Sequence, residues 1–187
     1  MRRSEVVDFL STRRSRPPKV LREPGPDRAA LLHLLTMAAR APDHGKLEPW
    51  RFVVLAGAGK ARPVEAIRAR AAETGADADK GASAYEQAPV SVAVVASPRP
   101  SDKIPAIEQT LSAGAVALGL VNAALAEGWG AAWLTGWPVY DAGFIGPALG
   151  LAEGEWVAGG VHIGSCDMEG PDRPRPDIGA IGTWMDD

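Results

Sequence analysis

Five polar side chains near the start of the chain have the types needed to bind an anion. They are Arg13, Arg14, Ser15, Arg40 and His44. Each lies where a helix is predicted to end or a loop to begin, and such places present unpaired backbone groups and polar side chains to ligands. Guanidinium groups form charge-assisted, often bidentate hydrogen bonds with phosphate. A compact set of cations, a hydroxyl and an imidazole therefore favours an anionic, aromatic cofactor.

Two predicted helices place these side chains. Apolar residues recur at helical spacing over 4–12, with Ser4 as a candidate N-cap, and two prolines then prevent the helix from continuing. Asp27 can cap a second helix that runs to Arg40, where another proline follows. The polar residues therefore follow the two helices directly.

The rest of the chain predicts an α+β domain in layers with about four strands. Strands are expected over 51–56, 90–96, 131–136 and 156–164, and helices over 60–74, 107–127 and 141–149. The run 76–87 fits either a short helix or a mobile segment. No hairpin signal joins neighbouring strands, so the sheet is expected to be built from separated segments.

One domain is expected for 187 residues with 46% hydrophobic and 23% charged composition. The helix over 107–127 is rich in small residues, which predicts a crowded centre or a subunit contact. After about residue 166 the chain is rich in proline, aspartate and glycine, and such a tail cannot build its own core.

Charge and hydropathy argue against two classes of partner. The net charge of −3 does not favour nucleic acid. The most apolar stretch, 113–126, is shorter than the ~20 residues of a membrane span. We therefore expect a cytoplasmic protein that binds neither nucleic acid nor a membrane.

The residue types that usually mark metal or covalent catalysis are sparse. His33, His44 and His162 do not have metal-ligand spacing, and the first and last fit structural positions in a helix and a strand. The lone cysteine, Cys166, cannot form a disulfide within the chain and is either a catalytic thiol or a partly buried bystander. A nucleophile elbow, a P-loop and a dinucleotide fingerprint do not appear. The sequence therefore favours a reaction carried out by a bound cofactor over one carried out by side chains alone.

Four segments resemble the nitroreductase family of FMN enzymes, most closely its small single-domain NAD(P)H nitroreductase branch. They are Arg-Arg-Ser after the first helix, the segments 39–55 and 108–136, and the strand end His-Ile-Gly-Ser at 162–165. The resemblance implies a mostly antiparallel sheet flanked by helices. It also implies a homodimer with FMN at the interface and the long helix at that interface.

The resemblance also implies roles for particular residues. Arg13, Arg14 and Ser15 match the segment that holds the FMN phosphate and ribityl chain, and Arg40 and His44 match positions that meet the flavin from the other subunit. Two further sets are implied: Trp133, Leu134 and Thr135 line the cofactor, and Ala123, Ala124, Leu125, Ala126, Glu127 and Gly128 meet the nicotinamide nucleotide. Basic residues are expected beyond the last strand, and Arg173 and Arg175 are the candidates.

The implied activity is hydride transfer from NADH or NADPH through FMN to a nitroaromatic, a quinone or a similar electron-poor acceptor. No side chain is expected to act as a catalytic acid or base. Trp133 or Trp137 either borders a slot for flat substrates or belongs to the core. Two alternatives stay open: a flavin-binding protein for storage or sensing, and another flavin reaction such as reductive dehalogenation or flavin breakdown.

Overall fold

Four strands form one antiparallel sheet in the computed structural model of the chain, which describes residues 3–185. The strands are β1 (Trp50–Ala56), β2 (Val90–Ala96), β3 (Gly130–Leu134) and β4 (Trp156–Gly164). Their order is β1-β2-β4-β3, and every neighbouring pair is antiparallel. The expected four-stranded sheet is therefore confirmed, and the continuous apolar run over 90–96 becomes a central strand buried along its whole length.

Helices cover both faces of the sheet, as expected for a layered α+β domain. They are α1 (Ser4–Thr12), α2 (Arg28–Ala38), α3 (Ala61–Thr74), α4 (Ala78–Gln87), α5 (Ala106–Ala126), α6 (Trp137–Tyr140), α7 (Ala142–Leu149) and α8 (Ile178–Ile181). On one face, Leu34 of α2 and Leu120 of α5 pack with Val92 of the sheet. On the other face, Ile67 of α3 and Tyr85 of α4 pack against Ala93.

Aspartate side chains cap the N-termini of four helices, α2, α4, α7 and α8, and the first two of these caps bear on the sequence predictions. Asp27 Oδ1 accepts a hydrogen bond from the Ala30 backbone N–H at 2.8 Å, which confirms the predicted cap of α2. Asp77 Oδ1 accepts from the Lys80 backbone N–H at 2.9 Å, and this cap begins α4. The ambiguous run 76–87 is therefore a short helix rather than an irregular segment.

The predicted cap of the first helix is wrong. Ser4 is already helical, and the residue with extended backbone dihedral angles before it is Arg3, whose side chain makes no capping hydrogen bond. A serine inside the first turn cannot take the cap position, because the cap is the residue just outside the helical dihedral angles.

The long helix α5 lies in the crowded centre that its small residues predict. Ala117 and Ala124 are fully buried, and a Cβ on Gly119 would lie 3.3 Å from the Ala38 backbone of α2. At 21 residues α5 is longer than the stretch 113–126 suggested, and by length and composition it could cross a membrane. Half of its most apolar stretch is buried inside this fold, which is typical of a core helix.

An ion pair at the rim of the sheet gives the fold a specific dependence on pH. Arg51 Nε and Nη2 donate to the two carboxylate oxygens of Glu155 at 2.8 and 2.6 Å. These hydrogen bonds lower the pKa of Glu155 from 4.5 to about 2. Because the folded-state pKa lies below the unfolded one, the stabilisation is complete above pH 4.5 and is lost as the pH falls towards 2.

Replacing this carboxylate with an amide, Glu155→Gln, is expected to lower the free energy of unfolding at pH 7 by roughly 1.5–3 kcal/mol, the usual worth of hydrogen bonds to a charged group. The loss should shrink as the pH falls from 4.5 towards 2, where the wild-type carboxylate is also neutral. Urea unfolding at several pH values measures it. The exposed neighbour Glu153→Gln is the control, and an equal loss in both variants at every pH would contradict the assignment.

Candidate functional site

The first two predicted site residues form an arginine cluster at the end of α1. The backbone N–H of Arg13 donates to Phe9 O at 2.8 Å and ends the helix, and Arg13 Nη2 donates to Ser15 Oγ at 3.4 Å. The Nε of Arg13 is buried and has no hydrogen-bond partner within residues 3–185. A buried guanidinium donor without an acceptor is costly, so this atom indicates a place where an anion would bind.

The tail brings a third guanidinium group to the cluster from the other end of the chain. Arg14 Nε donates to Pro171 O at 3.2 Å, and Arg175 lies close enough that its charge acts on Arg13. Burial lowers the pKa of Arg13, and the positive charges of Arg175 and Arg14 lower it further. Of the two basic residues suggested beyond the last strand, Arg175 is therefore the one beside Arg13.

One carboxylate balances part of this charge. Asp172 Oδ1 accepts from Arg175 Nη2 at 2.8 Å and lies 4.0 Å from Arg14 Nε. The backbone N–H of Arg173 lowers the pKa of Asp172, and the guanidinium groups of Arg175 and Arg14 lower it further. Three guanidinium groups beside one carboxylate leave the arginine cluster positively charged.

A cleft of about 230 Å³ is lined by segment 17–19, which follows Arg13 and Arg14 along the chain. Its walls come from segment 17–19, from α4 and from segment 134–136, which follows β3. The backbone N–H of Arg16 donates to Ala131 O at 2.8 Å and so fixes segment 17–19 beside the sheet. The cleft therefore lies between segment 17–19 and the loop after β3.

Strand alternation separates the predicted residues at the end of β3. Leu134 and Thr135 line the cleft. Trp133 turns to the opposite face, where its indole N–H donates to Ala158 O at 3.3 Å and its ring lies beside Gly159. Trp137 packs against Gly81 of α4, with its N–H donating to a backbone carbonyl. Leu134 thus borders the cleft directly, whereas both indoles are held by contacts within the fold.

The cleft also contains residues that the sequence did not single out for binding. Lys80 and Ser83 line it from α4, and Tyr85 and His162 line its floor. The residues on α4 are not predicted because the sequence over 76–87 does not distinguish a helix from a mobile segment. The alternation of β4 predicts that His162 is buried, and it is 1% exposed, but alternation does not reveal that the buried face borders a cleft.

Arg40 and His44 lie at a distance from the arginine cluster along the chain, in the turns that follow α2. The helix ends at Ala38, two residues before Arg40, and His44 Nδ1 lies 2.7 Å from Glu108 Oε2 at the start of α5. No hydrogen bond or ion pair within the described part of the chain links them to the arginine cluster. Their predicted role in the other subunit's site stays a prediction.

The predicted nicotinamide segment is divided by burial. Ala123 and Ala124 face the core, Leu125 packs against it, and Ala126, Glu127 and Gly128 are exposed. Glu127 Oε1 lies 3.5 Å from His33 Nε2 of α2. The last three residues of the segment are therefore its exposed part, and Leu125 is partly buried.

The site chemistry fits a phosphorylated planar cofactor better than a metal. Within residues 3–185 no three His, Cys, Asp or Glu side chains lie together as metal ligands would. The arginine cluster offers an unpaired buried donor to a phosphate. The cleft that segment 17–19 lines has apolar walls, including Ala84, Leu134 and Pro138, and polar groups in its floor, which suit a flat ring with polar edges.

Comparisons with known proteins agree on one family. The family model described as "Nitroreductase family" matches residues 10–165. The chain is 32% identical over 168 residues to the Escherichia coli K12 protein named "Putative NAD(P)H nitroreductase YdjA", covering 88% of this chain and 90% of that one. It is 34% identical over 173 residues to a Haemophilus influenzae protein named "Putative NAD(P)H nitroreductase", covering 90% and 92%.

Solved structures share the fold at lower identity. A nitroreductase-like family protein from Bacillus cereus superposes with a TM-score of 0.83 at 22% identity, covering 100% of this chain and 99% of that one. The FMN-dependent nitroreductase NfnB from Mycobacterium smegmatis, solved with NADPH, superposes with a TM-score of 0.77 at 17% identity, covering 97% and 98%. The resemblance inferred from the sequence and the layered antiparallel fold are both confirmed: the chain belongs to the nitroreductase family.

Proposed function

We propose that this chain is an FMN-dependent oxidoreductase that takes electrons from NADH or NADPH and passes them to a nitroaromatic, quinone-like or other electron-poor acceptor. The observation that carries the proposal is the buried Nε of Arg13, which has no hydrogen-bond partner within residues 3–185 and lies beside Arg14 and Arg175. An apolar cleft is lined by segment 17–19, which follows these residues along the chain. The names of the Escherichia coli and Haemophilus influenzae relatives support the reductant, and the name of the Mycobacterium smegmatis structure supports both FMN and NADPH.

Different residues would hold the phosphate and the ring of such a cofactor. Arg13, Arg14, Ser15 and Arg175 would hold the phosphate by charge-assisted hydrogen bonds. The apolar wall that includes Leu134 would cover the ring and exclude water. When bound, FMN supplies the two-electron redox chemistry that no side chain of the site supplies. Cationic side chains beside the site would favour an anionic reduced form by electrostatics.

The partner that completes the site is proposed to be a second copy of the chain. Helix α1 has an apolar face but buries no residue within the fold, and Val6 and Leu10 are 47% and 59% exposed. Ile107 and Leu111 form an exposed apolar face on α5, at 62% and 65%. Large apolar faces left open on two helices are typical of a subunit interface. A partner would also supply Arg40 and His44 to the cleft.

The dimer is tested by charging this face. Wild-type chain is expected at twice its 19.6 kDa mass in sedimentation equilibrium at micromolar concentration. Leu111→Arg should give mostly monomer, because an exposed apolar side chain at the centre of an interface would become a buried, unpaired charge. Glu65→Arg, on the exposed side of α3, is the matched control and should stay dimeric. A wild-type monomer with FMN bound would contradict the proposal.

Anaerobic mixing tests the enzymatic part. FMN-loaded protein should lose its flavin absorbance within seconds when NADH or NADPH is added, and a quinone or nitroaromatic should restore it. Flavin that stays oxidised would overturn the enzymatic reading and favour a storage or sensing protein. Product analysis after turnover would distinguish a nitroreductase from an enzyme of dehalogenation or flavin breakdown.

A further inference from the structure

The floor of the cleft holds a buried polar cluster to which the proposed function gives no role. It consists of Ser91, His162 and Tyr85, which are 0%, 1% and 5% exposed. The residues around them in the sheet are mostly valine, alanine and glycine. Burying a polar group in such surroundings costs free energy unless the group is hydrogen-bonded. We therefore expect a hydrogen-bonding role for these three side chains, which apolar residues at the same positions could not fill.

Ser91 fixes one side of the imidazole. Ser91 and His162 are directly opposite each other on β2 and β4, and Ser91 Oγ lies 2.8 Å from His162 Nδ1. Burial lowers the pKa of His162 to about 4, so the ring is neutral at physiological pH. In a neutral ring with Nδ1 engaged by a hydroxyl, Nε2 is the nitrogen left for a second contact.

The surroundings of Nε2 open towards the cleft. A Cβ on Gly160 would lie 3.1 Å from His162 Nε2 and 3.5 Å from the Tyr85 hydroxyl. Gly160 is the register partner of Leu134, and both Leu134 and His162 line the cleft. The edge of the imidazole therefore occupies the space that a side chain at Gly160 would take, next to a wall of the cleft.

We propose that His162 is a binding residue for the ring of the cofactor, and that Ser91 is its positioning residue. The ligand class is a heteroaromatic ring with hydrogen-bonding atoms on its edge, such as a flavin. His162 contributes one neutral hydrogen bond through Nε2, and Ser91 holds the orientation of the ring through Nδ1. This inference rests on the proposed function, because it assigns a further contact at the same site.

Two substitutions of His162 in the full-length protein distinguish the contribution of Nδ1 from that of Nε2. The amide of His162→Asn can replace Nδ1 and keep the Ser91 contact, whereas the amide of His162→Gln can reach the position of Nε2. We expect His162→Asn to weaken FMN binding by about tenfold and to shift the visible absorption maximum of the bound flavin. His162→Gln should stay within about threefold of wild type, with an unshifted spectrum.

Gly160→Ala keeps all three side chains of the buried polar cluster but adds a Cβ 3.1 Å from His162 Nε2, so the edge of the imidazole must shift. It serves if a histidine variant fails to fold. It should weaken FMN binding and shift the flavin spectrum in the same direction as His162→Asn. Normal binding and normal spectra in all three variants would overturn the inference. Equal losses in the two histidine variants, accompanied by equal falls in melting temperature, would also overturn it, because they indicate a packing role alone.

Binding of riboflavin, which lacks the phosphate, distinguishes a failure of this inference from a failure of the proposed function. If the wild-type chain binds neither FMN nor riboflavin, both proposals fail. If it binds FMN but is not reduced by NADH or NADPH, the enzymatic function fails while the effect of His162→Asn on riboflavin affinity still supports the ring contact. If reduction proceeds and riboflavin affinity is the same in wild type and His162→Asn, only the inference about His162 fails.

Discussion

Replacing Arg13 with alanine is expected to weaken FMN binding by more than tenfold and to change riboflavin binding by less than about twofold. The buried Nε and the terminal nitrogens of Arg13 lie in a positively charged cluster with Arg14 and Arg175. Hydrogen bonds to a charged group are worth about 1.5–3 kcal/mol, and about 1.4 kcal/mol corresponds to a factor of ten in affinity. Quenching of flavin fluorescence during titration measures both ligands.

Two further variants sharpen this prediction. Arg13→Lys keeps the charge but loses the planar fork of donors, so its FMN affinity should lie between those of wild type and Arg13→Ala. Arg28→Ala removes an exposed arginine at the start of α2 and should bind FMN normally. A parallel loss of FMN and riboflavin affinity in Arg13→Ala would show that Arg13 supports the fold rather than the phosphate.

Leu120→Ala is expected to lower the free energy of unfolding by about 2–5 kcal/mol, the usual cost of a large cavity in a well-packed core. Leu120 is fully buried in the middle of α5, where the helix packs between the sheet and α2. Small neighbours such as Gly119 and Ala117 hold the backbones close together and cannot extend to fill the space. Urea unfolding at a fixed protein concentration measures the loss.

Leu120→Met is the matched control for this cavity. It conserves most of the volume and should cost less than about 1.5 kcal/mol. If Leu120→Ala cost no more than Leu120→Met, α5 would not be the packed centre of the domain, and its ends would not be firm supports for His44 and the loop before β3.

Local signals predicted most of the fold. The aspartate before α2 and the apolar run of β2 each act within a few residues, and the structure confirms both. The predicted cap at Ser4 is wrong because α1 begins one residue earlier than a serine cap would require. The apolar face of the same helix is evident from the sequence, but the fold described for residues 3–185 does not bury it.

The site was predictable where its residues are close in sequence and not where the fold brings distant segments together. Arg13, Arg14 and Ser15 are contiguous, and the structure places them together. Arg175 reaches Arg13 only because the tail runs back past Arg14. The buried polar cluster depends on the register that sets Ser91 opposite His162, and sequence spacing alone cannot give a register.

An absorption titration of the purified chain with FMN measures whether the chain binds this cofactor. We expect yellow protein, or colourless protein that takes up FMN with a saturable shift of the visible flavin bands. Arg13→Ala should need at least ten times more FMN for the same shift. Colourless wild-type protein whose addition leaves the spectrum of FMN unchanged would show that the chain does not bind FMN.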